Sequence, residues 1–171
     1  VGNPLTVEAR SIIAGLEAGG TNVEYDAIPD PVVVNIPDGN LRAALESALG
    51  KNAGDAITNA ELATLTELYA PESSISDLTG LEHCAGLIQL RLYSNQISDI
   101  SIVSNLTNLT GLNLYHNQIS DISPLSNLIN LKGFLNLGSN QISDISAVSN
   151  LTNLTTLDLY INQISDITAV A

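Results

Sequence analysis

The phrase Asn-Gln-Ile-Ser-Asp-Ile occurs four times, beginning at Asn95, Asn117, Asn140 and Asn162, at intervals of 22, 23 and 22 residues. No other feature restricts the fold as tightly, because a chain that repeats at this period stacks equivalent units on one another. Ahead of each Asn stands a leucine framework: Leu87, Leu90 and Leu92; Leu109, Leu112 and Leu114; Leu131, Leu135 and Leu137; Leu154, Leu157 and Leu159. The longer interval comes from one extra residue near Gly133–Phe134. Behind each Asn the apolar positions continue as Ile97, Ile100, Val103 and Leu106 and their equivalents. A degenerate copy with Leu65, Leu68, Ala70, Ser73, Ile75, Leu78 and Leu81 precedes the four.

The pattern L-x-x-L-x-L-x-x-N is that of a leucine-rich repeat, and its physics is direct. Side chains alternate in a strand, so both leucines of L-x-L point inward and the residues between them point outward. One coil cannot bury its own apolar face, whereas parallel stacking builds a continuous aliphatic core. Strands stack about 4.8 Å apart, so five coils span on the order of 25 Å. Asn95, Asn117, Asn140 and Asn162 form a column that turns inward where the chain leaves its strand. There an amide satisfies loop N–H and C=O groups that burial would otherwise leave unpaired. The pairs Ser98–Asp99, Ser120–Asp121, Ser143–Asp144 and Ser165–Asp166 suit caps of short 3₁₀ turns on the opposite side.

The segment ahead of the repeats has the signals of a helical cap. Pro37–Asp38 precedes Leu41, Leu45 and Leu49, one face of a helix that Gly50 would end. Thr58 and Glu61 make a capping box before Leu62 and Leu65, which gives a second short helix. In residues 1–35, Thr6 to Leu16 suits a brief helix that Gly19–Gly20 breaks. Pro29 to Pro31 suits a linker, and Val32, Val33 and Val34 suit an edge strand. The expected organisation is an arm over 1–35, a cap over 36–61, and five repeats over 62–83, 84–105, 106–127, 128–150 and 151–171.

Composition narrows the function. Five basic against 18 acidic residues give a formal charge of −13, which repels phosphate backbones and anionic lipid, so no nucleic-acid partner is expected. No apolar run approaches the roughly 18 residues of a membrane span, so membrane insertion is not expected either. A single Cys excludes an internal disulfide framework and a zinc site built from several thiolates. With one Phe and neither Trp nor Met, the core must be aliphatic and repetitive.

From Pro37 to Ala171 the chain resembles the internalin-type bacterial leucine-rich-repeat proteins. The phrases IPDGNLRAALESALGK and ITNAELATLTEL are similar to their helical N-terminal cap, and NLTNLTGLNLYHNQISDISPLSNL is similar to their repeat. The resemblance implies an α/β solenoid: a right-handed leucine-rich-repeat superhelix with a parallel concave β-sheet, 3₁₀ turns on the convex side and a helical N-terminal cap. It also implies a non-catalytic, secreted or cell-surface prokaryotic module that binds a protein or glycan. A start at Val1 without a charged segment leading into an apolar one agrees with a processed secreted protein, as does the scarcity of Lys (Lys51 and Lys132 only). Residues 1–35 fall outside the resemblance. The family usually carries an immunoglobulin-like domain after its repeats, and a sortase-type anchor is not present here.

The outward strand positions are the candidate binding residues. One column holds Tyr93, Tyr115, Gly138 and Tyr160, and its neighbour holds Tyr69, Arg91, Asn113, Asn136 and Asp158. Four of the five tyrosines therefore fall on the expected concave face, where a rigid ring with a polar tip suits recognition. The bland alternative is that tyrosine simply favours strands and half-covers the leucines. The Asp column could collect calcium in principle, but a line of single carboxylates does not supply six converging oxygens, and turn capping is the simpler role. His83 and His116 share no column, and Cys84 occupies the position of Leu106, Leu128 and Leu151. Asn105, Asn108, Asn150 and Asn153 are sequon asparagines, although N-L-T is also the repeat's own consensus. No catalytic constellation and no cofactor are expected.

The last coil ends without a covering helix or hairpin, and a naked parallel edge is a template for pairing, so either the natural protein continues past Ala171 or the open end is buried against another molecule. Two functions follow as expectations. One is adhesion or recognition through the concave face. The other is a structural subunit that stacks end to end into a homo-oligomer or extracellular filament, with residues 1–35 as the connecting arm.

Overall fold

The computed structural model describes residues 7–20 and 30–170. A three-residue strand is centred on the first leucine of each L-x-L segment and ends before the second: β1 (Glu67–Tyr69), with Ala70 in the second place, β2 (Gln89–Arg91), β3 (Gly111–Asn113), β4 (Phe134–Asn136) and β5 (Thr156–Asp158). They pair in parallel in the order β1-β2-β3-β4-β5, with Leu68, Leu90, Leu112, Leu135 and Leu157 in register. The molecule is thus a leucine-rich-repeat solenoid. Its core is one continuous cluster running from Val34 to Leu151, and it is aliphatic throughout apart from Cys84. Leu87, Leu90, Leu112, Leu114, Leu135 and Leu137 are fully buried. Leu157, on the last strand, and Leu159, just beyond it, are only partly so.

The other side of each coil is a 3₁₀ turn, at Leu81–His83, Ser101–Asn105, Ser123–Leu125, Ser146–Val148 and Thr168–Val170. Leu81, Val103, Leu125 and Val148 point from these turns into the core. The Asp of each Ser-Asp pair, and not the Ser, supplies the bond that fixes the turn. Asp99, Asp121, Asp144 and Asp166 each accept from the backbone N–H two residues on, at Ser101, Ser123, Ser146 and Thr168, all at 2.8 Å. A carboxylate is the better acceptor for an unpaired N–H at the start of a turn.

Between strand and turn the backbone passes through the left-handed region at an equivalent position of each coil, Glu72, Ser94, His116, Ser139 and Ile161, and the first coil does so again at Ser74. This kink ends the strand and swings the next residue inward. Ile161, β-branched and with φ of 53°, is the costliest occupant of the series.

The inward column carries the inter-coil polar bonds. Asn117 Oδ1 accepts from Ile97 N at 3.0 Å, and its Nδ2 donates to Leu92 O at 3.0 Å and Leu114 O at 3.1 Å. Asn140 repeats the pattern with Ile119, Leu114 and Leu137. Asn162 does so with Ile142, Leu137 and Leu159. Asn95, at the first coil, accepts from both Ser73 N and Ile75 N and donates to Ala70 O and Leu92 O. Each amide therefore pairs backbone groups of two coils, away from water at Asn95, Asn117 and Asn140 and half-buried at Asn162 on the last coil.

The cap comprises α2 (Gly39–Ala48) and α3 (Asn59–Leu62). Leu41 and Leu45 bury one face of α2, which packs against β1. Thr58 and Glu61 form the capping box of α3, and Lys51 Nζ reaches the same Glu61 at 2.6 Å. Asp38 has two functions. Its Oδ1 caps α2 by accepting from Asn40 N and Leu41 N, while its Oδ2 accepts from Ser76 N and Asp77 N in the first coil. One carboxylate fastens the cap to the repeats.

Compact units divide at Pro31 and Val32 and not after residue 35. Val34 and Ile36 are buried with the cap, which is why residues 32–35 belong to it. The edge strand expected at Val32–Val34 is reduced to a single antiparallel bridge, Val33 with Thr58. In the other unit, helix α1 (Val7–Ala18) ends at Gly19 and Gly20, the latter with φ of 84°. The helix start at Thr6, the linker residue Pro29 and the terminal Ala171 lie outside the described residues.

Candidate binding face

The register places Tyr69, Arg91, Asn113, Asn136 and Asp158 side by side along the outward face of the sheet. Tyr93, Tyr115, Gly138 and Tyr160 follow two residues later, just beyond the strands. The tyrosines come together as two pairs. Tyr69 and Tyr93 meet edge to face with centroids 6.1 Å apart and hydroxyls 2.7 Å apart. Tyr115 and Tyr160 lie with centroids 5.7 Å apart although a whole coil separates them. Gly138 makes this possible: a Cβ there would stand 2.8 Å from Tyr160 Cε1. The missing side chain leaves a slot that the Tyr160 ring fills.

The same device operates two columns over. Gly111 lies between Gln89 and Phe134, and a Cβ on it would stand 2.5 Å from Gln89 Oε1 and 2.7 Å from Phe134 Cε1. Across this gap Arg91 lays its guanidinium over Phe134, 5.2 Å from the ring centroid. Gln89 holds it from the side: its Oε1 accepts from Arg91 at 3.4 Å, and its Nε2 donates to Thr110 Oγ1 at 2.9 Å. Sequence reasoning missed Gln89, Gly111 and Phe134 as parts of this face, and placed Gly138 in its column without the slot that its missing side chain leaves. The first outward column, Glu67, Gln89, Gly111, Phe134 and Thr156, was legible from the same alternation that gave the second.

Asn113 and Asn136 each turn their Oδ1 back to a main-chain N–H, at Tyr115 and Gly138, both at 3.0 Å. This orients their NH₂ groups as donors on the face. The hydrogen bond with Tyr69, followed by local desolvation, lifts the Tyr93 hydroxyl above its ordinary pKa. Desolvation and then the bond with Tyr115 do the same for Tyr160. Both hydroxyls stay protonated through the physiological range.

The remaining sequence candidates lie elsewhere. The sequon residues Asn105, Asn108, Asn150 and Asn153 are exposed, and Asn108 spends its Nδ2 on Ala85 O of the preceding coil at 2.8 Å. His83 stands 3.9 Å from Glu82, and His116 bonds Ser139 Oγ at 3.2 Å, in different columns. Cys84 is fully buried among the leucines, and desolvation with the nearby Glu82 charge pushes its thiol up to about 12. Among the described residues, no three His, Cys, Asp or Glu side chains converge as metal ligands. Among the same residues, no helix is long and apolar enough to cross a membrane.

Comparison with known proteins agrees with this architecture. Residues 134–171 match the family described as leucine rich repeats (2 copies). A 54-residue stretch, 32% of the chain, is 43% identical to internalin J of Listeria monocytogenes and spans 6% of that protein. The crystal structure of an internalin (inlF) from Listeria monocytogenes superposes with a TM-score of 0.67 at 33% identity, covering 78% of this chain and 46% of that one. The functional domain of InlJ from the same species, which includes a cysteine ladder, gives 0.50 at 30% identity over 77% of this chain and 38% of that one. The chain thus spans less than half of either solved relative. Its single Cys builds no such ladder. The fold defines a leucine-rich-repeat solenoid. The chain is similar in sequence and fold to the leucine-rich-repeat regions of bacterial internalins.

Proposed function

We propose that this chain is the non-catalytic recognition module of a secreted or cell-surface bacterial protein, and that its concave sheet binds a protein partner. One observation carries the reading. Four tyrosines, Arg91 and Phe134 are assembled on a face where none is needed to close the core. Tyrosine and arginine dominate the energetics of protein interfaces, and tilted aromatic pairs present contact area at little entropic cost. A glycan is the other ligand class that aromatic and amide groups accept; the ring-stacked guanidinium favours a protein. Selection from a displayed random-peptide library on the immobilised chain tests this. Peptides retained by the wild type and released by the Tyr93→Ala/Tyr115→Ala variant are expected. Identical repertoires on both chains would retire the face as a binding site.

A further inference from the structure

We infer that the partner docks by a carboxylate, an Asp or Glu side chain flanked by an apolar residue, received at Arg91. The inference rests on the concave-face reading and adds the chemistry of what that face takes.

The chain carries 18 acidic residues against five basic ones. Arg42 pairs with Glu46 at 2.9 Å and Lys51 with Glu61 at 2.6 Å. Among the described residues Arg91 and Lys132 have no carboxylate oxygen within 4.0 Å, and of these two only Arg91 lies on a strand of the sheet. It is nonetheless held in place, with Phe134 beneath and Gln89 at its side, itself anchored by Thr110. Such a guanidinium has lost its freedom in advance, and less is lost again when it takes a bidentate partner.

Its surroundings extend the preference. The NH₂ groups of Asn113 and Asn136 follow Arg91 on consecutive strands, their carbonyls already spent on the backbone. Three donors in a row, spaced by the strand repeat, match acceptors on an extended segment. The pairs Tyr69–Tyr93 and Tyr115–Tyr160 lie beside the donors and supply contact for an apolar neighbour of the carboxylate. Glu67 and Asp158, at the first and last strands, discourage longer runs of negative charge and so favour one acidic residue over many.

The test is the composition of heptapeptides selected on the wild-type chain, with binding re-measured on Arg91→Gln, Arg91→Lys and Gly111→Ala. Circular dichroism and the thermal midpoint confirm that each variant folds. Selected peptides should carry Asp or Glu next to an apolar residue. Their affinity should fall about tenfold or more with Arg91→Gln. The drop should be smaller with Arg91→Lys, and Gly111→Ala should weaken binding by displacing Gln89 and Phe134. Neutral or basic peptides that depend on Tyr93 and Tyr115 but ignore Arg91→Gln would overturn the carboxylate while leaving the binding face intact. Peptides indifferent to both sets of changes would overturn both. Capture of a uronic-acid oligosaccharide through Arg91, with no acidic peptide retained, would overturn the protein partner.

Discussion

The inward and turn-side columns of this solenoid differ from the outward columns of its sheet. Asn95, Asn117, Asn140 and Asn162 are one residue type making one set of bonds, as are Asp99, Asp121, Asp144 and Asp166. On the concave side, Gln89, Gly111 and Phe134 share a column, as do Arg91, Asn113 and Asp158. Where every coil must satisfy the same backbone groups, the side chain repeats. Where nothing in the fold demands a particular residue, the columns vary, and the variation assembles contacts that no single coil could make.

The contrast predicts effects that separate by column. Asn117→Ala should be the most damaging, because it strands Ile97 N in a dry interior and leaves Leu92 O and Leu114 O with only the amides of Asn95 and Asn140. The loss should be about 3 kcal/mol in chemical denaturation, since a stranded buried group costs about 1–3 kcal/mol and each lost hydrogen bond about 1 kcal/mol. Asp38→Ala should come next, at about 2 kcal/mol, because a helix cap and the cap-to-coil clamp disappear together.

Asp38 also gives a pH dependence. Partial burial works to raise its carboxyl, but the N–H groups of Ser76, Leu41, Asp77 and Asn40 outweigh it and hold the pKa below the ordinary 3.8. A group depressed in the folded state contributes stability that is fully present above its unfolded value. Acid unfolding should therefore steepen as pH falls from about 3.8 through the lower folded value, and Asp38→Asn should flatten that limb.

Tyr115→Ala and Arg91→Gln should change stability by only about 0.5 kcal/mol, as surface substitutions do, while weakening peptide capture. The smallest effect is spectroscopic. With Tyr93 and Tyr160 raised, their hydroxyls should ionise above the ordinary 10.0 in an ultraviolet titration. Whatever stability they lend is present below that value and fades as pH climbs through the folded one. Tyr69→Phe should return Tyr93 towards the ordinary value.

Periodicity made the coils, their phase, the cap helices and the Asn ladder legible, because each follows from spacing alone. The second role of Asp38 was not legible, since its Ser76 and Asp77 partners lie 38 and 39 residues away and no repeat relates them. Nor was the lateral reach of side chains. Alternation says that Gly111 and Gly138 face outward, but not that Gln89 and Phe134 close over the first and Tyr160 over the second. Val33 illustrates the opposite error. Three consecutive valines satisfy strand propensity, yet only the bridge to Thr58 forms, because the cap offers one partner residue and no ladder.

Backbone amide chemical shifts followed during titration with a selected acidic heptapeptide test the central claim most directly. The account predicts perturbations concentrated at Arg91, Asn113, Tyr115, Phe134 and Asn136, with Asp99, Asp121 and Asp144 unmoved. Shifts that instead follow the turn-side Asp column, or spread evenly over all coils, would contradict it.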